Sequence, residues 1–166
     1  ADLRNEKKIK KILNKKFDYV VNLGGYINHQ SLNKGGNKEI EVHFHGVMNL
    51  IKYLSRHKLK RFVQIGSSDE YGDATSPQKE TSKEKPISPY SLAKLLSTNF
   101  LIMLNITENF PSTILRLFLT YGPKQNSKRF LPQIIKGCLN NNVFKTTKGN
   151  QIRDFCYIDD VIDAIF

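Results

Sequence analysis

The sequence predicts an α/β fold, a doubly wound parallel sheet, from two observations. Segments with the roughly 3.6-residue period of amphipathic helices alternate with short runs of Val, Ile, Leu and Phe. Those runs are apolar without alternation, as strands must be when helices cover their sheet on both faces. The chain has 166 residues, 39% hydrophobic and 10% aromatic, enough for one ordinary domain with a sizeable core and too apolar for a disordered chain.

Each element follows in order. Residues 5–15 predict a helix with Ile9, Ile12 and Leu13 on one face. The run 17–23 predicts a buried strand, ended by Gly24-Gly25. After a polar stretch to Asn37, Ile40, Phe44, Val47, Ile51 and Leu54 recur at steps of 4, 3, 4 and 3, the signature of a long amphipathic helix over 37–57. A second strand is predicted at 61–66, then a loop over 67–88 with Pro77 and Pro86, then a helix over 90–109. A third strand is predicted at 113–118 and broken by Tyr121-Gly122-Pro123. A helix around 130–141, an apolar segment at 155–158 and a helix opening near Asp159 complete the pattern. Ligands of such sheets sit beyond the carboxyl ends of the strands, which singles out the loops 24–36, 67–89 and 118–129.

The formal net charge is +11, and nearly half of it falls in the first 16 residues, where Arg4, Lys7, Lys8, Lys10, Lys11, Lys15 and Lys16 face only Asp2 and Glu6. Such a run can grip phosphates. No aromatic residues interleave with these lysines for base stacking, so a solvated helix face is expected and no nucleic-acid partner. A basic nucleic-acid-binding module is the alternative from another class, and a non-catalytic fragment is a third. No apolar run approaches the roughly 20 residues of a membrane helix, and the charged start of the chain is no signal peptide. With two cysteines, Cys138 and Cys156, and no zinc spacing among His29, His43, His45 and His57, neither a disulfide scaffold nor a metal site is expected. A cytoplasmic protein fits these features.

Tyr90 and Lys94 stand at i and i+4 on a predicted helix and so share a face. An ammonium beside a phenol favours the phenolate, and such a tyrosine can exchange a proton with a sugar hydroxyl or ketone. Ser67, Ser68 and Asp69 follow the second strand directly, which puts hydroxyls and a carboxylate at its carboxyl end.

These features resemble the extended short-chain dehydrogenase/reductases, in particular the nucleotide-sugar epimerase/dehydratase group, whose fold is of Rossmann type. Asp2-Leu3-Arg4 resembles the family's acidic turn beside the adenine, and Val21-Asn22-Leu23-Gly24-Gly25 its small-residue strand end crossed by the cofactor. Gly46-Val47-Met48-Asn49-Leu50 is similar to its Gly-x-x-Asn-Leu helix. Ser67 matches the catalytic Ser/Thr, and Tyr90 and Lys94 the Tyr-x-x-x-Lys pair. The run 115–118 with Tyr121-Gly122-Pro123 matches the strand and turn beside the nicotinamide, and Arg153-Asp154-Phe155 with 157–160 a late motif facing the substrate diphosphate.

The resemblance implies NAD or NADP as cofactor and a nucleotide-activated sugar as substrate. It implies Tyr90 as acid/base, Lys94 on the nicotinamide ribose, Ser67 on the reacting oxygen, and Phe118 against the nicotinamide. Asp2, Leu3, Leu23, Gly24 and Gly25 would line the rest of the cofactor. Ser68 and Leu119 would face the substrate, and Arg153 and Arg129 would clamp its diphosphate. Arg116 is expected to be a buried or interfacial pair-former, and Asp159 with Asp160 a helix cap pair. Two residues depart from the family pattern: His43 and Leu119 each stand where an asparagine is usual. No Gly-x-x-Gly-x-x-Gly follows a strand, so the fold is expected to be truncated at both ends, with 1–166 a partial Rossmann domain and the start of a substrate-binding part. A homodimer is expected through the helices over 37–57 and 90–109. Asp69 is one methylene shorter than the glutamate that abstracts a proton in the family's dehydratases, and Glu70 is expected to point away from an extended segment. Epimerase or 4-keto reductase chemistry is therefore preferred, with 4,6-dehydratase as the alternative.

Overall fold

A computed structural model describes residues 1–143 and 145–166. The chain divides into two compact units, Ala1–Arg116 and Leu117–Phe166.

In the first unit, helix α1 (Glu6–Ile12) starts where the Asn5 side chain accepts from the Lys8 amide at 3.0 Å and ends on Lys10 and Lys11, whose charge suits the negative end of a helix. Strands β1 (Tyr19–Asn22), β2 (Arg61–Ile65) and β3 (Ser112–Leu115) form a parallel sheet in the order β1-β2-β3. The register pairs Val20 with Phe62 and Gln64 with Ile114. Side chains alternate along a strand, so Val20, Phe62 and Ile114 share one face. On that face Phe62, 0% exposed, packs with Ile9, Val47, Leu50, Ile51, Leu101, Leu104 and Phe110.

The predicted long helix runs as α2 (Asn37–Ile40), a π-helical turn (Glu41–His45) and α3 (Gly46–Tyr53), and it ends at Leu54, whose backbone is extended. The Ser97 hydroxyl donates to the His43 carbonyl at 2.5 Å, so a carbonyl inside the π turn is served from the neighbouring helix. That neighbour is α4 (Pro89–Glu108). Its start follows from local chemistry. Ser88 and Ser91 cap each other's amides at 3.1 and 2.9 Å, and Pro89 takes the first helical position, where its missing N–H costs nothing. Asn109 closes the helix in the left-handed region at φ 52. The helices form one layer, α1 against α3 and α2 against α4. Parallel strands joined through helices are the α/β architecture that the sequence predicts.

In the second unit, β4 (Leu119–Tyr121) pairs in parallel with β5 (Phe155–Tyr157), flanked by α5 (Phe130–Leu139) and α6 (Ile158–Ile165). The predicted third strand thus stops at Leu115, and the segment read as its break belongs to a second sheet. Its partner lies far along the chain, and a local apolar pattern carries no record of such a pairing. Tyr121 meets Tyr157 at 5.3 Å between ring centres, and Phe130 stacks on Phe155 at 6.2 Å. Tyr157 caps α6, so Asp159 and Asp160 stand in its first turn, where their charge opposes the helix's positive end; they do not cap it. No helix among the described residues is long and apolar enough to cross a membrane.

Phe62→Ala is expected to lower stability by about 3–5 kcal/mol, because the buried ring leaves a cavity at the centre of the cluster. Urea unfolding with an unchanged midpoint would contradict that position.

Candidate active site

The site is built on the carboxyl ends of β1 and β2. Asn22 and Gln64, both buried and side by side in the register, join through Asn22 Nδ2 donating to Gln64 Oε1 at 2.9 Å. The Asn22 oxygen in turn accepts from the Gly24 amide at 3.0 Å, which turns the chain at the strand end. Gly25 has φ 144, and a Cβ there would run into the His43 ring; a Cβ at Gly24 would lie 2.6 Å from Leu3 Cδ1. Gly25 is therefore required, a side chain at Gly24 would displace the tip of Leu3, and the backbone beside the exposed Leu23 stays bare. Leu3 is held from the other side. Asn49 Nδ2 donates to its carbonyl at 2.9 Å, and Gly46 leaves it room, since a Cβ there would lie 2.8 Å from Leu3 Cβ. That contact gives the Gly46-x-x-Asn49 spacing a physical reason. The Arg4 guanidinium, 2.7 Å from the Asp2 carboxylate, holds that exposed acid down at about 2.

Beyond β2, Ser67 caps a 3₁₀ turn, Ser68–Glu70: its hydroxyl accepts from the Asp69 amide at 3.2 Å, and Glu70 reaches back to the Ser67 amide at 2.9 Å. The expectation of an extended, alternating segment is thus corrected, because the reciprocal cap winds the chain into a turn. Glu70 still leaves the site. It is 0% exposed, and its second oxygen accepts from Thr98 at 2.8 Å and from Arg116 Nε at 2.9 Å. Arg116 also pairs with Glu84 at 2.6 Å and covers the Tyr71 ring at 4.8 Å, the buried pair-former read from the sequence. Asp69 stays half exposed, with His29 Nε2 3.6 Å from its carboxylate.

Tyr90 and Lys94 lie buried in the first turns of α4. Lys94 Nζ donates to the Ile65 carbonyl at 2.8 Å, at the end of β2, and stands 5.9 Å from the centre of the Tyr90 ring. Burial brings Lys94 down to about 8. Burial also pushes the Tyr90 phenol above its ordinary value; the neighbouring Ser67 hydroxyl pulls it back, and the Asp69, Glu70 and Glu39 carboxylates push it further. The expected lowering by Lys94 is therefore corrected. The lysine donates to backbone, and desolvation is the largest influence on the phenol.

Sequence reading gave no role here to His29 or Glu39 and marked His43 only as a departure from the family's asparagine. His43, 3% exposed, donates from Nε2 to the Tyr26 carbonyl at 2.8 Å and meets Tyr90 edge-on at 5.1 Å between ring centres. His29 meets the same ring edge-on at 5.3 Å. Glu39, 0% exposed, lies 3.5 Å from His43 Nε2. The i, i+4 spacing that marked Tyr90 and Lys94 also marks Glu39 and His43. Phe118, Leu119, Arg129 and Arg153 belong to the second unit: Leu119 opens β4, Arg129 caps α5, and Arg153 is exposed with its guanidinium on the Ile152 carbonyl at 3.0 Å. Among the described residues, no three His, Cys, Asp or Glu stand where they could hold a metal ion.

Two predictions follow from these charges. Arg116→Met is expected to cost about 3–5 kcal/mol, since it leaves the Glu70 carboxylate buried without its cation; a denaturation midpoint within error of the parent would refute that pairing. Burial, then Lys94, lowers His43 from 6.5 to about 4. Between those values the unfolded chain binds the proton that the folded chain rejects, so stability falls as pH drops from 6.5 toward 4, by up to about 3 kcal/mol for this group. His43→Asn is expected to lose that share of the acid sensitivity, read as the difference between the two proteins' stability-against-pH curves.

The whole chain, residues 1–166, matches the model of the NAD dependent epimerase/dehydratase family. It is 29% identical over 164 residues to a dTDP-D-glucose 4,6-dehydratase of Dictyostelium discoideum, covering 90% of this chain and 37% of that protein. It is 29% identical over 132 residues to the uncharacterised UDP-glucose epimerase YtcB of Bacillus subtilis, covering 74% of this chain and 42% of that protein. The solved UDP-glucuronic acid 4-epimerase of Bacillus cereus in complex with NAD superimposes with a TM-score of 0.84 at 28% identity, over 98% of this chain and 51% of that one. The chain spans about half the length of that solved relative and less of the two curated ones. With its family model matched from the first residue to the last, and the Ser67, Tyr90 and Lys94 cluster at the end of a parallel strand, the chain belongs to the NAD dependent epimerase/dehydratase family.

Proposed function

We propose that the protein is an NAD(P)-dependent oxidoreductase acting at a sugar carbon of a nucleotide-activated sugar, with epimerase or 4-keto reductase chemistry preferred over 4,6-dehydration. The observation that carries this reading is the meeting of the Ser67 hydroxyl, the Tyr90 phenol and the Lys94 ammonium at the carboxyl end of β2. Relatives of the same family are described as an epimerase and a dehydratase, and one is solved with NAD.

NAD or NADP, when bound, supplies the hydride acceptor or donor. The residues present fit such a group: Gly24 and Gly25 leave no room for a side chain at the end of β1, and Lys94 stands at the end of the adjacent β2. Asp2, Leu3, Leu23, Gly24 and Gly25 would hold its adenosine side, Tyr90 and Lys94 its nicotinamide ribose, and Phe118 the nicotinamide ring. Tyr90 moves the proton between its phenol oxygen and the sugar oxygen, and the Ser67 hydroxyl hydrogen-bonds that same oxygen. Because burial keeps the phenol protonated, Tyr90 is poised as a proton donor to a ketone. Ser68 and Leu119 would contact the sugar, and Arg129 and Arg153 its diphosphate, for which a charged fork is suited.

The preference within the family rests on the 3₁₀ turn. Glu70 is spent inside the fold, and Asp69 is short by one methylene, where a displacement of about 1 Å can cost ~10²-fold in rate. Dehydration stays the second reading, because the Asp69 carboxylate is half exposed, with His29 Nε2 3.6 Å away. The helices of 37–57 and 90–109 would pair two copies, since Met48 on α3 and Leu92, Met103 and Ile106 on α4 are exposed. A cytoplasmic enzyme supplying surface-polysaccharide sugars fits this reading.

Tyr90→Phe is expected to lower turnover of nucleotide hexoses by about 10²–10⁴-fold while cofactor binding persists. Turnover near the parent rate would end the proposal. Loss of water from the sugar that vanishes in Asp69→Asn would establish the dehydratase instead.

A further inference from the structure

Beside Tyr90 stand two side chains that face solvent together. His29 Nε2 lies 3.6 Å from a carboxylate oxygen of Asp69, and the two side chains are 55% and 43% exposed. They come from separate loops, His29 from the exit of β1 and Asp69 from the 3₁₀ turn after β2. Adjacent parallel strands put both loops at the same end of the sheet, where the ligands of such sheets sit. The His29 ring meets the Tyr90 ring edge-on at 5.3 Å between centres, so the pair flanks the tyrosine. Both loops are held in place. The Ser31 carbonyl accepts from the Lys34 and Gly36 amides at 2.9 and 3.0 Å. Gly36 is packed so closely that a Cβ would lie 2.5 Å from the Gln30 carbonyl and 2.8 Å from Pro89 Cγ, which fixes the turn after His29 against the start of α4. The Asp69 amide donates to the Ser67 hydroxyl at 3.2 Å, inside the reciprocal cap that Glu70 completes.

We propose that His29 is a catalytic base toward carbon, with Asp69 as its positioning residue, and that the pair exchanges the proton on a carbon next to the sugar carbonyl. The inference rests on reading Tyr90 as the group at that carbonyl's oxygen. An imidazole oriented by a carboxylate at one nitrogen and free at the other is a recurring arrangement for a general base. Asp69 faces the Nε2 side, which leaves the Nδ1 lone pair for the substrate. The 3.6 Å separation is longer than a hydrogen bond, and such contacts commonly tighten only when substrate is bound. The imidazole also supplies the reach that Asp69, one methylene short, lacks. The step balances without an oxidant. Nδ1 takes the proton, the C–H electron pair becomes the carbon–carbon double bond of an enolate, and the ketone's π pair moves onto its oxygen. The Tyr90 phenol and the Ser67 hydroxyl donate hydrogen bonds to that oxygen as it gains charge. The imidazolium then returns a proton to the same carbon. Because the His29 side chain is more than half exposed, its proton exchanges with water between the two steps.

The test starts from a ketone, so that no hydride transfer is needed. The protein is incubated in D₂O with UDP-4-keto-6-deoxyglucose or its dTDP counterpart, and deuterium entering the sugar is read by mass and placed by NMR. The parent protein is expected to catalyse exchange at a carbon next to the ketone. His29→Gln keeps a polar side chain without a base, and it is expected to slow the exchange by about 10²–10⁴-fold. Asp69→Asn is expected to lower the rate at saturating probe by about 10²-fold and to leave the half-saturating concentration little changed, the mark of lost orientation rather than lost binding. Neither side chain is buried, so both variants are expected to unfold in urea near the parent's midpoint. A parent that brings no deuterium into either probe overturns the proposal, and so does exchange in His29→Gln at the parent's rate. Exchange that is lost in Asp69→Asn but kept in His29→Gln makes the carboxylate itself the base and overturns it as well. Hydride transfer is not read in this assay, so its failure leaves the Tyr90→Phe result on nucleotide hexoses standing, and the reverse holds too.

Discussion

The Glu70 carboxylate ties together three parts of the chain that are distant in sequence. One oxygen takes the Ser67 amide at the exit of β2, and the other takes Thr98 on α4 and Arg116 after β3. A carboxylate taken out of water is costly until its lone pairs are filled, and each bond it makes here draws one more element inward. The consequence reaches the site. With Ser67 pinned to Glu70, and α4 pinned to it one turn beyond Lys94, the serine, the tyrosine and the lysine have little freedom relative to one another. Catalytic spacing is thus inherited from a structural acid that itself touches nothing reactive.

Glu39 and Glu70 make a pair of contrasts. Both are fully buried, yet Glu70 accepts from Ser67, Thr98 and Arg116, whereas Glu39 stands 3.5 Å from His43 Nε2 and beside Tyr26. A saturated carboxylate has its charge spread over the bonds it accepts, and its value to the fold is large. His43 stands between Glu39 and Tyr90, 3.5 Å from the carboxylate and edge-on to the tyrosine at 5.1 Å between ring centres.

What the sequence disclosed was what local spacing can encode. The alternation of periods located β1, β2, α4 and the second helix. The i, i+4 spacing of Tyr90 and Lys94 and the position of Ser67 after an apolar strand brought the candidate site together before any coordinates. Hidden features were those decided by tertiary context. Leu119–Tyr121 looked like a break because its partner, Phe155–Tyr157, is remote. Ser68–Glu70 looked extended because the reciprocal cap that winds it depends on one glutamate turning back on its own chain. The Tyr90 phenol is raised, opposite to expectation, because burial, which no i, i+4 rule contains, is the largest influence on it. Glu39, a good helix former on a helix rich in polar residues, carried no outward sign of being buried.

The π turn between α2 and α3 sets the phase of everything before it. Residues of an α-helix advance by about 100° and 1.5 Å each, so a helix that accommodates one surplus residue hands its upstream half a different heading from its downstream half. Downstream, Val47, Leu50 and Ile51 face the core, and Gly46 with Asn49 hold Leu3. Upstream, Glu39 faces inward beside His43. A single deletion within Glu41–His45 would let the helix relax to uniform α geometry and would swing Glu39 by about a quarter of a turn while leaving the core half untouched. The segment therefore behaves as a phase shifter: the same length of helix serves packing at one end and the tyrosine at the other, and the count of residues between them is as constrained as their identity.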